Sequence, residues 1–183
     1  MPLQLTEDLQ NQIRSHGSKA YPNECCGILL GRTGADRKVI LEVVPIRNLR
    51  ESAEEAQSIL PLETPGVESG KNRFLIDPRE QMQVEKSARM RGLDVLGYYH
   101  SHPDHPARPS NYDQEHAWPG YSYVIIKVQG GEPREYTSWQ LADDRSAFLP
   151  EVIEVVRAEN QQESAASSQS APHTTNTKEN QWA

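Results

Sequence analysis

Cysteine is nearly absent from this 183-residue chain, and the two that occur are neighbours, Cys25 and Cys26. Adjacent cysteines cannot tie distant segments together, so a disulfide framework is excluded and a reducing compartment fits. Long apolar runs are missing too: nothing approaches the roughly 18 residues of a membrane span. The opening MPLQLTEDLQ has neither the basic nor the apolar region of a secretory leader, so a cytoplasmic location is expected. Positive charge is the scarcer sign, with 19 Lys and Arg against 26 Asp and Glu, a net charge of −7 and a pI near 5.4. That balance argues against a protein built to bind nucleic acid or an anionic membrane surface. The length suits one domain with a sizeable core, so a metal is not needed merely to hold the fold together.

The chain supplies mixed helix and strand signals, which places it in the α/β or α+β class. Thr6 can cap a helix carrying Leu9 and Ile13 on one face and ending near Gly17. ECCGILLG reads as a buried strand, with Cys25 and Cys26 as small hydrophobes at its start. KVILEVVPI (38–46) reads as a second strand, joined to the first through RTGADR as a hairpin. DPRE at 77–80 marks a helix start, with Asp77 as cap and Pro78 at the first helical position, and Gly92 as its stop. LDVLGYYHSH, YSYVIIKV and EYTSWQLA follow as strands, the last two joined through Gly130 and Gly131. PEVIEVVRA, with Val152, Val155 and Val156, is expected to form a final amphipathic helix.

Two stretches differ in character. Residues 50–72 hold five glutamates, two prolines and two glycines, and read as a long acidic loop inside a domain spanning 1–158. SILPL within that loop is available to contact a partner. Residues 159–183 contain no Val, Ile, Leu, Met or Phe and cannot bury enough apolar surface to offset chain entropy, so they read as a disordered polar tail. Trp182 is its one large apolar anchor.

Four of the six histidines fall within GYYHSHPDHPARPSNYDQEHAW, residues 97–118. His100 and His102 lie two apart at a strand end, so their side chains leave the same face and can reach one ion. Pro103, Pro106 and Pro109 then stiffen a loop that delivers Asp113 on the first turn of a short helix capped by Ser110. Two imidazoles and a carboxylate can bind Zn²⁺ and leave the fourth position to water, the composition of a hydrolytic site. Barrel hydrolases with a His-x-His doublet need a longer chain. The motifs of nucleoside deaminases and of His-Glu-x-x-His proteases are missing.

Taken together, Glu24, HSHP at 100–103 and SNYD at 110–113 resemble the JAMM or MPN-plus metalloproteases, over roughly residues 3–145. The resemblance implies a cytidine-deaminase-like fold, a mixed sheet flanked by helices. It implies one Zn²⁺ per chain on His100, His102 and Asp113, with Glu24 as general acid/base and Ser110 as a hydroxyl holding the oxyanion. Within the family, the short chain and the HPDHPARPS loop are most similar to small bacterial stand-alone members. The expected partner is then a ubiquitin-like or sulfur-carrier protein with a Gly-Gly C-terminus, from which a C-terminal cysteine is released. Two alternatives stay open: an isopeptidase removing ubiquitin-like modifiers from lysine, and a non-catalytic MPN-type scaffold. A homo-oligomer is compatible with either. His105, Arg108, Tyr112 and Trp118 flank the motif and are candidates to border a channel for the Gly-Gly tail, with ordinary loop or core packing the commoner role for each.

Overall fold

The computed structural model describes residues 1–51 and 74–157. Along the chain run β1 (Leu3–Thr6), α1 (Glu7–Ala20), β2 (Cys26–Thr33), β3 (Lys38–Ile46), a 3₁₀ turn (Leu49–Glu51) and α2 (Pro78–Met90). β4 (Asp94–Pro103), α3 (Asn111–His116), β5 (Ser122–Gln129), β6 (Glu132–Leu141), β7 (Phe148–Glu151) and β8 (Ile153–Val156) complete it. Most of the acidic 50–72 loop, its SILPL stretch and the 159–183 tail with Trp182 lie outside the described residues. No described helix is long and apolar enough to cross a membrane.

The described strands form one mixed sheet in the order β7-β6-β5-β4-β2-β3-β1-β8. β2 and β3 make the expected antiparallel hairpin, while β4 and β5 run parallel. β4 and β5 are joined across the loop and α3 that carry the SNYD motif, as a parallel pair requires a crossover. β6 returns from β5 through Gly130 and Gly131, both at positive φ (58° and 86°), where a side chain would be strained.

Helices cover both faces. α1 buries Leu9 and Ile13 against Leu29, Tyr99, Val124 and Val128, and each such fully buried side chain contributes about 1.5–3 kcal/mol. α2 lays Ala88 and Val84 over Cys26, Ile28 and Tyr98 on the opposite face. Its start is the one the sequence announces: Asp77 accepts from the Arg79 N–H at 2.8 Å, with Pro78 just inside. Gly92, at φ +67°, ends it.

Two expectations need correction, and one element was not foreseen. Gly17 does not stop α1; the helix continues to Ala20, and a Cβ at 17 would stand 3.0 Å from Val128 Cγ2, so glycine there lets the helix close on β5. The unforeseen element is β1, formed by residues before α1 to which the sequence reading gives no structure, and it lies fully in the core. The expected C-terminal helix is instead β7 and β8, separated by Val152 alone. β-Branched residues fit a pleated strand better than a helix, and β8 pairs parallel with β1 through Ile153↔Leu3 to Val156↔Thr6. Val152 and Val155, which a helix would have packed inward, stand 67% and 40% exposed.

A Cβ on Gly97 would fall 2.0 Å from the Ser122 carbonyl oxygen, so neither atom can yield without breaking the β4–β5 ladder. Gly97→Ala is therefore expected to destabilise by on the order of 4 kcal/mol or more, read as a large drop in Tm or loss of soluble protein. An unchanged Tm would show that the strands can part at that point.

Candidate metal centre

The site stands on the α2 face of β4. β2 and β4 pair antiparallel with Cys26 opposite His100, and the Ser101 N–H reaches the Cys25 carbonyl at 3.1 Å. Alternation then puts His100 and His102 on the face of Cys26 and Ser101 on the other, where Cys25 joins the α1 core, while Glu24 is buried just before the strand. Ser101 Oγ accepts from the Cys25 N–H at 2.9 Å and is fully buried, fastening the strand end that carries Glu24. Cys25 is a buried structural thiol: burial, the dominant effect, pushes its pKa up to about 12, which keeps it from acting as a thiolate nucleophile.

The loop after β4 is held at several points. Asp104, at φ 58°, accepts from the Gly130 N–H at 2.9 Å and from the Tyr21 hydroxyl at 3.0 Å. Further on, the Thr137 hydroxyl donates to the Ala107 carbonyl at 2.7 Å. This fixes the start of α3, where Ser110 and Asp113 make a reciprocal cap. Ser110 Oγ accepts from the Asp113 N–H at 3.2 Å, while Asp113 Oδ2 accepts from the Ser110 N–H at 2.7 Å and from its hydroxyl at 2.6 Å. The capping box thus aims a carboxylate back at β4.

His100, His102 and Asp113 come together, with their ligand atoms within 4.8 Å of one another. His100 Nε2 lies 3.0 Å from His102 Nε2 and 3.5 Å from Asp113 Oδ1, and His102 Nε2 lies 3.9 Å from Asp113 Oδ2. A tetrahedral ion with bonds of about 2.0–2.1 Å separates its ligand atoms by roughly 3.3 Å, so the triplet has the right span.

Proton placement agrees. His102 Nδ1 lies 2.7 Å from the Pro106 carbonyl, which can only accept, so Nδ1 carries a hydrogen and Nε2 is the ring atom turned to the cluster. Burial, only partly opposed by Asp113, holds His100 well below the usual imidazole range and hence neutral near pH 7. Asp113 lies below the usual carboxylate range: burial alone would raise it, but the pull a protonated His100 would exert and the hydrogen bonds from the two Ser110 donors bring it down, and the Ser110 donors remain when His100 is neutral. Two imidazoles and one carboxylate fit a divalent cation with a position left open.

Glu24 is 6% exposed and is not a member of this triplet. Beside the triplet opens a cavity of about 240 Å³ whose walls include Phe74, Tyr98, His100, Tyr112, Asp113 and Trp118. Phe74 stacks on His100 at 4.8 Å. Of the four flanking residues, Tyr112 and Trp118 line this cavity, whereas His105 and Arg108 do not and are exposed.

Sequence reasoning missed Asn48. Its side chain, 3% exposed, donates to the Glu24 carbonyl at 3.0 Å and accepts from the Arg50 and Leu75 N–H groups at 3.0 and 3.1 Å. Nothing in PIRNLRE pairs that asparagine with a glutamate two strands away, and no motif signals it.

Residues 6–142 match the sequence family described as prokaryotic homologs of the JAB domain. The desampylase of Haloferax volcanii is 29% identical over 133 residues, which cover 70% of this chain and 82% of that protein. The CysO-cysteine peptidase of Mycobacterium tuberculosis is 26% identical over 155 residues, 84% of this chain and 91% of the relative. A solution structure of a protein from Desulfitobacterium hafniense superimposes with a TM-score of 0.67 at 30% identity, covering 87% of this chain and 97% of the other.

Proposed function

Because this chain belongs to the family of prokaryotic homologs of the JAB domain, we propose that it is a zinc-dependent peptidase that cuts the amide bond after the C-terminal Gly-Gly of a ubiquitin-like or sulfur-carrier protein. The observation that carries the reading is the triplet His100, His102 and Asp113, two of which line an aromatic cavity, with a second carboxylate, the buried Glu24, just before β2 and outside the triplet. His100, His102 and Asp113 would hold one Zn²⁺ per chain. When bound, zinc supplies Lewis acidity, polarising a carbonyl and lowering the pKa of water.

The chain's own groups do the rest. Glu24 accepts the proton of the attacking water and passes it to the leaving amine. For Ser110 to donate to the carbonyl oxygen, its hydroxyl must turn away from Asp113 Oδ2; the Ser110 N–H on the same oxygen keeps the carboxylate oriented when it does. A donor placed there stabilises the charge that develops on the carbonyl. Residues 1–158 make up the proposed catalytic domain, with 159–183 as a polar tail. The buried cysteine thiols fit the cytoplasm as its proposed location.

A relative named for cysteine release from CysO supports the terminal-peptidase form, and one named desampylase supports the isopeptidase form. The test is the mass of a purified sulfur-carrier protein ending in Gly-Gly-Cys, before and after incubation with zinc-loaded and chelator-treated protein. Loss of one cysteine residue with the zinc-loaded sample alone is expected. An intact carrier beside a cleaved lysine conjugate selects the isopeptidase. Neither cleaved at full zinc occupancy leaves the scaffold.

A further inference from the structure

Trp118 is 67% exposed, although an indole gains more from burial than almost any other side chain. It is nonetheless held in place. The Trp118 N–H donates to the Tyr123 hydroxyl at 2.7 Å, and that hydroxyl donates to the Trp118 carbonyl at 3.1 Å. Arg145, which does not line the cavity, has its Cζ 5.3 Å from the indole centroid and is tied to α3 by a bond from Nη2 to the Glu115 carbonyl at 3.1 Å. A fixed, exposed tryptophan beside an arginine has the composition of a protein-binding hot spot. This one lines the same cavity as His100 and Asp113.

The cavity, about 240 Å³, is smaller than the roughly 300–1,000 Å³ of a small-molecule site, so it suits a single side chain. Phe74, Ile76, Tyr98, Trp118 and Tyr123 make it largely apolar, and among the described residues no lysine or arginine lines it. The Tyr98 hydroxyl accepts from Gln81 Nε2 at 3.1 Å, and the Tyr123 hydroxyl is engaged by Trp118. An apolar group can therefore lie against both rings without stranding a hydroxyl.

Length says whose side chain it is. Tyr98 precedes His100 by two residues in β4 and stands opposite Tyr123 in the parallel ladder. At the rise of a strand, the two rings lie about 6.6 Å along β4 from His100. An extended substrate advances at the same rate. With the scissile carbonyl at the His100 end, Gly-Gly covers that distance, and the residue before it stands beside Tyr98, Tyr123 and Trp118. A single released residue spans only about 3.3–3.6 Å and falls short of them.

We propose that this cavity receives the side chain of the residue immediately before the carrier's Gly-Gly, and that Trp118 makes the site select carriers in which that side chain is bulky and apolar. This rests on the peptidase reading above.

The experiment measures kcat/KM by intact-mass time courses on sulfur-carrier proteins ending in Leu-Gly-Gly-Cys, Ala-Gly-Gly-Cys and Asp-Gly-Gly-Cys. The enzymes are zinc-loaded full-length wild type, Trp118→Ala and Trp118→Phe. Wild type is expected to favour Leu over Asp by on the order of 100-fold, with Ala between them. Trp118→Ala should lose most of that preference by falling on the Leu carrier while keeping its rate on the Asp carrier, and Trp118→Phe should retain part of it. Both variants are expected to fold, because the bonds to Tyr123 come from the backbone of residue 118. Equal wild-type rates on the three carriers overturn the inference and leave the peptidase reading intact. So does a Trp118→Ala that slows all three equally, which is a general docking or packing role. If Trp118→Ala does not fold, the wild-type comparison decides. Should only lysine conjugates of the three carriers be cut, the same ranking is expected, since the cavity reads the carrier. A Trp118→Ala that slows those conjugates with the Leu-over-Asp ratio unchanged gives the cavity to the leaving group and overturns the inference. Cleavage of nothing at full zinc occupancy refutes the peptidase reading and the inference with it.

Discussion

Replacing Glu24 with glutamine is expected to lower kcat for carrier cleavage by about 10²- to 10⁴-fold, with zinc still bound at one per chain. The two readouts separate because Glu24 is not among the three clustered ligand groups. Glutamine keeps the size of the side chain and cannot take up a proton at neutral pH. Its backbone anchors, the Asn48 bond to the Glu24 carbonyl and the Ser101 clasp on Cys25, do not involve the carboxylate and survive the change. The measurement pairs intact-mass turnover with metal content by elemental analysis. Lost zinc would make Glu24 a ligand; an undiminished rate would put the general base elsewhere.

Removing the carboxylate of Asp113 should strike at the metal. Asp113→Ala is expected to weaken zinc affinity by more than about 100-fold, whereas Ser110→Ala, which removes only the hydroxyl that orients the carboxylate, should weaken it by roughly 10- to 100-fold. The contrast follows from the capping box. Without Ser110 Oγ, Asp113 Oδ2 still accepts from the Ser110 N–H, but without Asp113 two imidazoles are left alone. Each change also costs about 1 kcal/mol of helix capping, which a melting curve reads separately. Competition against a chromophoric chelator gives the affinities. Equal values for Asp113→Ala and wild type would remove Asp113 from the ligand set.

The site was legible in the sequence where its parts are local. His-x-His on a strand end dictates a shared face, and Ser-x-x-Asp dictates a capped turn; each is settled within a few residues. The Asp77–Pro78 start of α2 and the β2–β3 hairpin were readable for the same reason. Glu24 was different: its partner strand lies some 75 residues on, and only likeness to a family pointed to it. Asn48 had no such help, since its meaning lies in what folds against it. β1, β7 and β8 were missed because four-residue strands have too little pattern to outvote a neighbouring helix signal. PEVIEVVRA shows the hazard: its valines recur with a helical spacing, but what decides their state is β1, at the other end of the chain.

That pairing of first strand with last governs the order in which the molecule can be made. During synthesis the hairpin of β2 and β3 can close as soon as it emerges, whereas β1 holds only Lys38 and Val39 of β3 as partners until Ile153–Val156 arrives. Contacts spanning nearly the whole described chain carry a large loop-closure cost and are met late. The apolar residues Leu3 and Leu5, both fully buried at the end, thus spend most of translation without their final cover. A nascent chain of this protein has made its whole candidate metal triplet once Asp113 is out, but β1 stays open on one edge until the ribosome has delivered Val156.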